Sequence, residues 1–341
     1  MTRYDKNINN LFLYWLIISL VLIFFIIIVG GLTRLTNSGL SITEWELFKG
    51  VLPPFKQETW EFYFNQYKKI PQYEILNPEM DLNEFKIIFF WEYFHRLIAR
   101  LIGLFFLIPL LFFYFSKSIK KEFISICFKI LLLIVLQGTV GWYMVRSGLI
   151  NDITVSHYRL SIHLGIAIII IASIFWMILN SLKKTNRIFF NFKKQNIPFL
   201  ILILLIFLQI ILGAFVSGLD AGQIYQTWPL MGYTYFPNDL ILSNKGDVIN
   251  FENHSLVQFY HRNLAYFITF YIVALVIYIY NKRLLNLYSP MKLVIIFLLI
   301  QVILGIFTLL SGLNIFLASA HQITSVILVF SAINLYYFQA K

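Results

Sequence analysis

Residues 88–115 read I-F-F-W-E-Y-F-H-R-L-I-A-R-L-I-G-L-F-F-L-I-P-L-L-F-F-Y-F. The run exceeds the ~20 mostly apolar residues that cross a hydrocarbon layer, yet near its start it carries Glu92, His95 and Arg96. Ionisable groups in a membrane span are expensive and point to function. Seven further runs have comparable length and composition, at roughly 11–33, 122–146, 159–180, 197–218, 256–280, 291–312 and 316–338. The chain is 59% hydrophobic and 13% charged, with a mean hydropathy of +0.76. These features predict an all-α polytopic membrane protein with eight transmembrane helices. A β-barrel would show short alternating strands instead.

The net charge of +11 is not a nucleic-acid signature, because of where the charges fall. Lys and Arg gather at Arg3 and Lys6, at Lys117, Lys120 and Lys121, at 183–194, and at Lys282, Arg283 and Lys292. Almost every carboxylate lies in the alternate segments, in 44–92, at Asp152 and in 220–252. The positive-inside rule then puts both termini inside, with the long loops 34–86 and 219–255 and the turns 147–158 and 312–316 outside. Cys127 is the single cysteine. It allows no intramolecular disulfide and reads as a small apolar side chain. The first apolar run is long enough to remain as a span, and no Arg-rich, acid-poor presequence precedes it. The expected location is the bacterial inner (cell) membrane, or the mitochondrial inner membrane for a mature organellar chain.

Features recur in order along the chain. Glu92-Tyr-Phe-His-Arg96 is matched by Gln258-Phe-Tyr-His-Arg262. Gln137 and Gly141, Gln209 and Gly213, and Gln301 and Gly305 share a spacing of four, which puts each pair on one helix face. Ser161-Ile-His163 is matched by Ser319-Ala-His321. The chain therefore reads as two parallel four-helix repeats, 1–190 and 191–341, joined by the basic stretch 181–197. Bundle cores commonly hold cofactors between facing helices.

His95, His163, His261 and His321 each fall in the first turns of an even-numbered run. Bis-histidine ligation needs two imidazoles at one depth on facing helices. His95 with His163, and His261 with His321, meet that need for two haem irons. A single histidine could equally be interhelical glue. Zinc is disfavoured because most of these histidines lack a second ligand at zinc spacing. Arg34, Arg96, Arg159 and Arg262, with Arg100, could bind haem propionates, since Arg pairs bidentately with carboxylates. Snorkelling to the interface is their alternative role. His157 and His254 read as surface-loop residues.

The halves differ at Glu92, whose counterpart is Gln258. A carboxylate one turn from a haem ligand could accept a proton or stabilise a cation, or simply pair with Arg96. The loop 34–86 is rich in aromatics, among them Trp45, Phe48, Phe55, Trp60, Phe62, Tyr63 and Phe64. They could cap a site, offer a partner surface or rest on the membrane interface.

Several segments carry a resemblance: Gly30-Gly-Leu-Thr-Arg-Leu-Thr-Asn-Ser-Gly-Leu40, Glu92 to Arg96, Gln137-Gly-Thr-Val-Gly-Trp-Tyr-Met-Val-Arg-Ser-Gly-Leu149, His163 and Trp228-Pro-Leu-Met-Gly232. Together they resemble the haem A synthase family, in its mitochondrial and proteobacterial branch. The resemblance implies oxidation of a methyl group of haem O to a formyl group by successive hydroxylations, giving haem A for cytochrome oxidase. It implies haem O at His95 and His163 with Glu92 as the catalytic residue, and a resident haem b at His261 and His321. Haem O synthase is the implied donor. The electron acceptor or donor and a homo-oligomeric state are left open. Another branch of the family has a cysteine pair in the first outer loop, and here that loop has none. A di-haem b-type electron-transfer protein and a haem carrier are the competing functions.

Overall fold

The computed structural model describes residues 3–45, 49–151, 153–240 and 245–340. Phe48 and Asp152 lie outside these. Ten helices make up the described chain: α1 (Arg3–Leu35), α2 (Gln57–Tyr67), α3 (Pro71–Leu76), α4 (Leu82–Phe115), α5 (Lys121–Asn151), α6 (His157–Lys183), α7 (Ile197–Gly218), α8 (His254–Asn281), α9 (Tyr288–Leu310) and α10 (Ile315–Gln339). Short 3-10 turns join some of them, and among the described residues there is no β-strand, only an isolated bridge between Met231 and Thr234. Eight of the helices, all but α2 and α3, are long and apolar enough to cross a membrane. The protein is a multi-pass helical membrane protein.

Helices dominate because hydrocarbon offers no partner for an open backbone group. Their ends are set by local chemistry. Asp81 caps α4 through the amides of Asn83 and Glu84, and the Glu84 side chain returns to the Asp81 amide, closing a capping box. Asn253 and Asn314 cap α8 and α10 in the same spirit. α4 has 34 residues, about 51 Å at the usual rise, against a hydrocarbon thickness of ~30 Å. Its first turns therefore extend beyond an apolar slab. There Phe85, Ile88 and Phe89 form a core with Leu40, Phe64, Tyr67 and Ile70. The first long loop is thus folded: α2 and α3 pack on the start of α4, while Trp45, Phe55 and Phe62 remain exposed. Burial raises the pKa of the Tyr67 phenol, which accepts from Asn77 and donates to Gln72.

Contacts divide the chain into two units, Met1–Ile170 and Ile171–Lys341, with the division inside α6. In the second unit Asn180 organises the basic connector. Its amide donates to the Arg187 carbonyl, and its oxygen accepts from Thr185 and from the Arg187 amide.

In the first unit Pro109 interrupts α4. A proline has no N–H, so the carbonyl four residues earlier loses its helical partner. That carbonyl, on Phe105, instead accepts from the Trp15 indole of α1 at 3.2 Å. An unmet carbonyl in apolar surroundings costs roughly 1–3 kcal/mol. Trp15→Phe should therefore lower stability in detergent by about that amount. In a Pro109→Ala background, where the helix supplies its own N–H, the same change should cost much less. Thermal unfolding of the four proteins in this cycle measures the coupling, and additive losses would refute the pairing.

Candidate functional site

Each of the four histidines predicted to bind metal lies against a glycine of the preceding span. A Cβ placed on Gly30 of α1 would come 3.2 Å from Nε2 of His95 on α4. One on Gly141 of α5 would come 3.0 Å from Cε1 of His163 on α6. In the second unit, a Cβ placed on Gly213 of α7 or Gly305 of α9 would come 3.2 or 2.9 Å from Cε1 of His261 or His321, on α8 and α10. Glycine lets neighbouring helices approach closely, and here the space gained is filled by an imidazole.

The rings meet in pairs. His95 and His163 have centroids 6.5 Å apart, with planes inclined at 71°. A metal–imidazole nitrogen bond is about 2.0–2.1 Å, so two rings on opposite sides of one ion put their centres roughly 6 Å apart. His261 and His321 stand on α8 and α10 of the second unit, each against the glycine of the helix before it. Among the described residues no group of three His, Cys, Asp or Glu is placed to hold a metal ion. Paired histidines suit an iron whose other ligands come from a porphyrin.

Polar partners orient the rings. His321 Nδ1 lies 3.1 Å from the Gln301 carbonyl, and the Gln301 amide is 3.3 Å from His321 Nε2. With its Nδ1–H donated to that carbonyl, His321 accepts the Gln301 amide at Nε2, the lone pair that a bound metal would take instead. Thr324 holds Gln301 by donating to its Oε1 at 2.5 Å. Gln209 contacts His261 Nδ1 at 3.2 Å and donates to the His261 carbonyl at 3.0 Å. His163 Nδ1 and Gln137 Oε1 are buried without a hydrogen-bond partner among the described residues. Four rings in glycine cradles, with glutamines steering the second pair, fit haem ligation.

Glu92 is 2% exposed, and both its oxygens are occupied. Oε2 accepts from the Ser41 hydroxyl at 2.7 Å and the Ile42 amide at 2.8 Å, and Oε1 accepts from Arg96 at 2.5 Å. Arg96 also donates to the carbonyls of Ile42 and Glu44 and lies over the Trp45 ring, 5.2 Å away. The ion pair weighed against a catalytic role is thus present, and it clasps the first loop. The second unit has the same clasp without the carboxylate. Gln258 and Arg262 both donate to the Tyr225 carbonyl, and Arg262 also reaches the carbonyls of Thr227 and Leu230. The loop they hold is braced by Asp239, which accepts from Tyr225 and Ser255. Burial pushes the Asp239 carboxyl upward, but these hydrogen bonds outweigh it and hold it below the usual range.

The arginines therefore divide. Arg96 and Arg262 spend donors on loop carbonyls. Arg34 donates to Asn37, Arg100 to the Gly50 carbonyl, and Arg159 to Ser147 while lying over Tyr143. The expectation for His157 needs correction. It is the first residue of α6 and only 6% exposed, with its ring beside Tyr158. Helix α6 begins two residues earlier than hydropathy alone suggests, which makes His157 part of the helix, and packing around that end buries it. His254 also begins a helix, α8, but is exposed. Ser41 carries no spacing signal, because it meets Glu92 only through the loop fold. Arg146 sits four residues after Trp142, a spacing too common to single it out.

A family described as cytochrome oxidase assembly protein, COX15-CtaA, matches residues 13–333. The chain belongs to this family. It is 49% identical over 325 residues to a protein of Pelagibacter ubique named Heme A synthase, covering 93% of each chain. A protein of Rickettsia bellii with the same name is 41% identical over 332 residues, covering 95% of this chain and 96% of its own. One from Flavobacterium johnsoniae, also so named, is 39% identical over 333 residues. These family relatives bear the name of a synthase, and the electron-transfer reading finds no support among them.

The glycine contacts are directly testable. Glycine in a helix costs about 0.5–1 kcal/mol relative to alanine, whereas overpacking a close contact costs roughly 1–3 kcal/mol. Gly305→Ala should thus displace His321, lowering bound haem and altering its low-spin electron paramagnetic resonance signal. Gly213→Ala, with more room at His261, should do so less. Unchanged spectra in both would separate the glycines from ligand placement.

Proposed function

We propose that the chain oxidises a methyl group of haem O to the formyl group of haem A, with His95 and His163 as axial ligands of the substrate. The observation that carries this is the imidazole pair at 6.5 Å, one turn from a buried glutamate, in a chain whose relatives are named Heme A synthase. That shared name makes the chain an enzyme of haem A synthesis. His261 and His321 would hold haem b, which supplies one-electron transfer when bound.

Two histidines on one iron leave it no open position for oxygen. The oxygen of the new formyl group then comes from water, after electrons leave the substrate for an acceptor outside the chain. Glu92 is the residue assigned to catalysis. Its oxygens are held by three donors, which suits a fixed negative charge that stabilises positive charge developing on the substrate. Taking up a proton would first require a donor to withdraw. Ser41 and Arg96 hold that carboxylate in place, and the clasped loop limits water near it. The second unit has Gln258 here, consistent with a site that binds without reacting. Substrate delivery by haem O synthase, a bacterial inner-membrane setting, termini on the inner side and the division into two four-helix repeats complete the proposal.

Haem extraction and mass-resolved chromatography test it. The host would be a bacterium that lacks haem A but makes haem O. Haem A or its hydroxylated precursor should appear only with this chain. Glu92→Gln should retain haem at both sites while product falls about a hundredfold or more, the smaller end of what one positioned catalytic group provides. Normal haem A output from that variant would remove Glu92 from catalysis. Stoichiometric haem b at both sites with haem O untouched would favour a di-haem electron carrier.

A further inference from the structure

We propose that Arg146, with Arg96, forms the carboxylate site that receives the propionates of the substrate at the first histidine pair. The inference rests on the reading above and deepens it. A cavity of about 260 Å³ lies between the first loop and helices α4 and α5, and its lining includes Ile42, Glu44, Trp45, Arg96, Trp142 and Arg146. The two arginines are each laid on a tryptophan, Arg96 over Trp45 at 5.2 Å and Arg146 over Trp142 at 5.3 Å. A guanidinium over an aromatic ring can still offer N–H groups to a planar acid. Arg96 already gives donors to Glu92, Ile42 and Glu44, so Arg146 is the one of the two with donors to spare.

The charges are not equally matched. Arg96 is paired with Glu92 at 2.5 Å. Arg146 is exposed, and no hydrogen bond or ion pair is found for it among the described residues. Glu44 is exposed at the cavity, and its backbone carbonyl accepts from Arg96. Arg146 therefore has no ion-pair partner among the described residues, and the Glu44 carboxylate shares the cavity with it. Neither histidine lines the cavity, but its lining includes Arg96, which directly follows His95 in the chain. Gly141 supports His163, Trp142 follows it, and Arg146 stands five residues beyond Gly141. That is about 7.5 Å along the helix axis, comparable with the reach from the centre of a tetrapyrrole to the acids on its edge. The second unit has no equivalent, since the residues five beyond Gly213 and Gly305 are Gly218 and Leu310. The device belongs to the substrate half alone.

The test compares haem O with its dimethyl ester, in which both acids are capped, by absorbance titration of the protein with its second site already filled. Arg146→Gln should weaken haem O binding by about tenfold, the loss of one charge-assisted hydrogen bond, and leave ester binding unchanged. Arg146→Lys should recover part of the loss. Equal weakening of acid and ester would assign Arg146 a structural role, and no weakening of either would remove it from binding; both overturn the proposal. Haem O binding left unchanged by His95→Ala would instead overturn the substrate assignment on which it rests.

Discussion

The rest of this structure depends on the distance at which one helix can pass another. At four places a glycine stands where a Cβ would meet an imidazole of the neighbouring helix more closely than ordinary van der Waals contact allows. In hydrocarbon there is little hydrophobic drive between helices, so close packing and shared polar contacts determine how they associate. The histidines serve both purposes. They pack as wedges in the spaces that the glycines leave.

The same scarcity of water explains how the loops are held. Each unit uses the residue three positions before its first histidine and the arginine just after it to satisfy loop backbone groups. Loop carbonyls and amides near an apolar slab need such partners. The histidine and the loop above it are therefore fixed by one turn of helix.

The two units share this arrangement and differ in charge. In the first, Glu92 and Arg96 form a buried pair, with a second arginine, Arg146, close by. In the second, Gln258 does the clasping as a neutral group and its Oε1 lacks a hydrogen-bond partner among the described residues. Charge placed permanently beside a bound group costs more to bury than an amide does. It is kept on the side where a reaction would make use of it.

The sequence by itself determined the number of spans, the apolar class and the identity of the four histidines, because each of these is written in composition and short-range spacing. It also exposed Glu92 against Gln258 as the informative asymmetry, since the surrounding motifs align without structure. It did not contain the partners. That Glu92 binds Ser41 and the Ile42 amide, that Trp15 satisfies the carbonyl freed by Pro109, that His157 is buried, and that Arg146 shares a cavity with Arg96 all join residues many turns apart in the chain. Helical periodicity states which residues share a face, but not which neighbouring helix or loop that face will meet. Only the packed structure decides that, since each buried polar group takes whichever partner the assembled helices bring within reach.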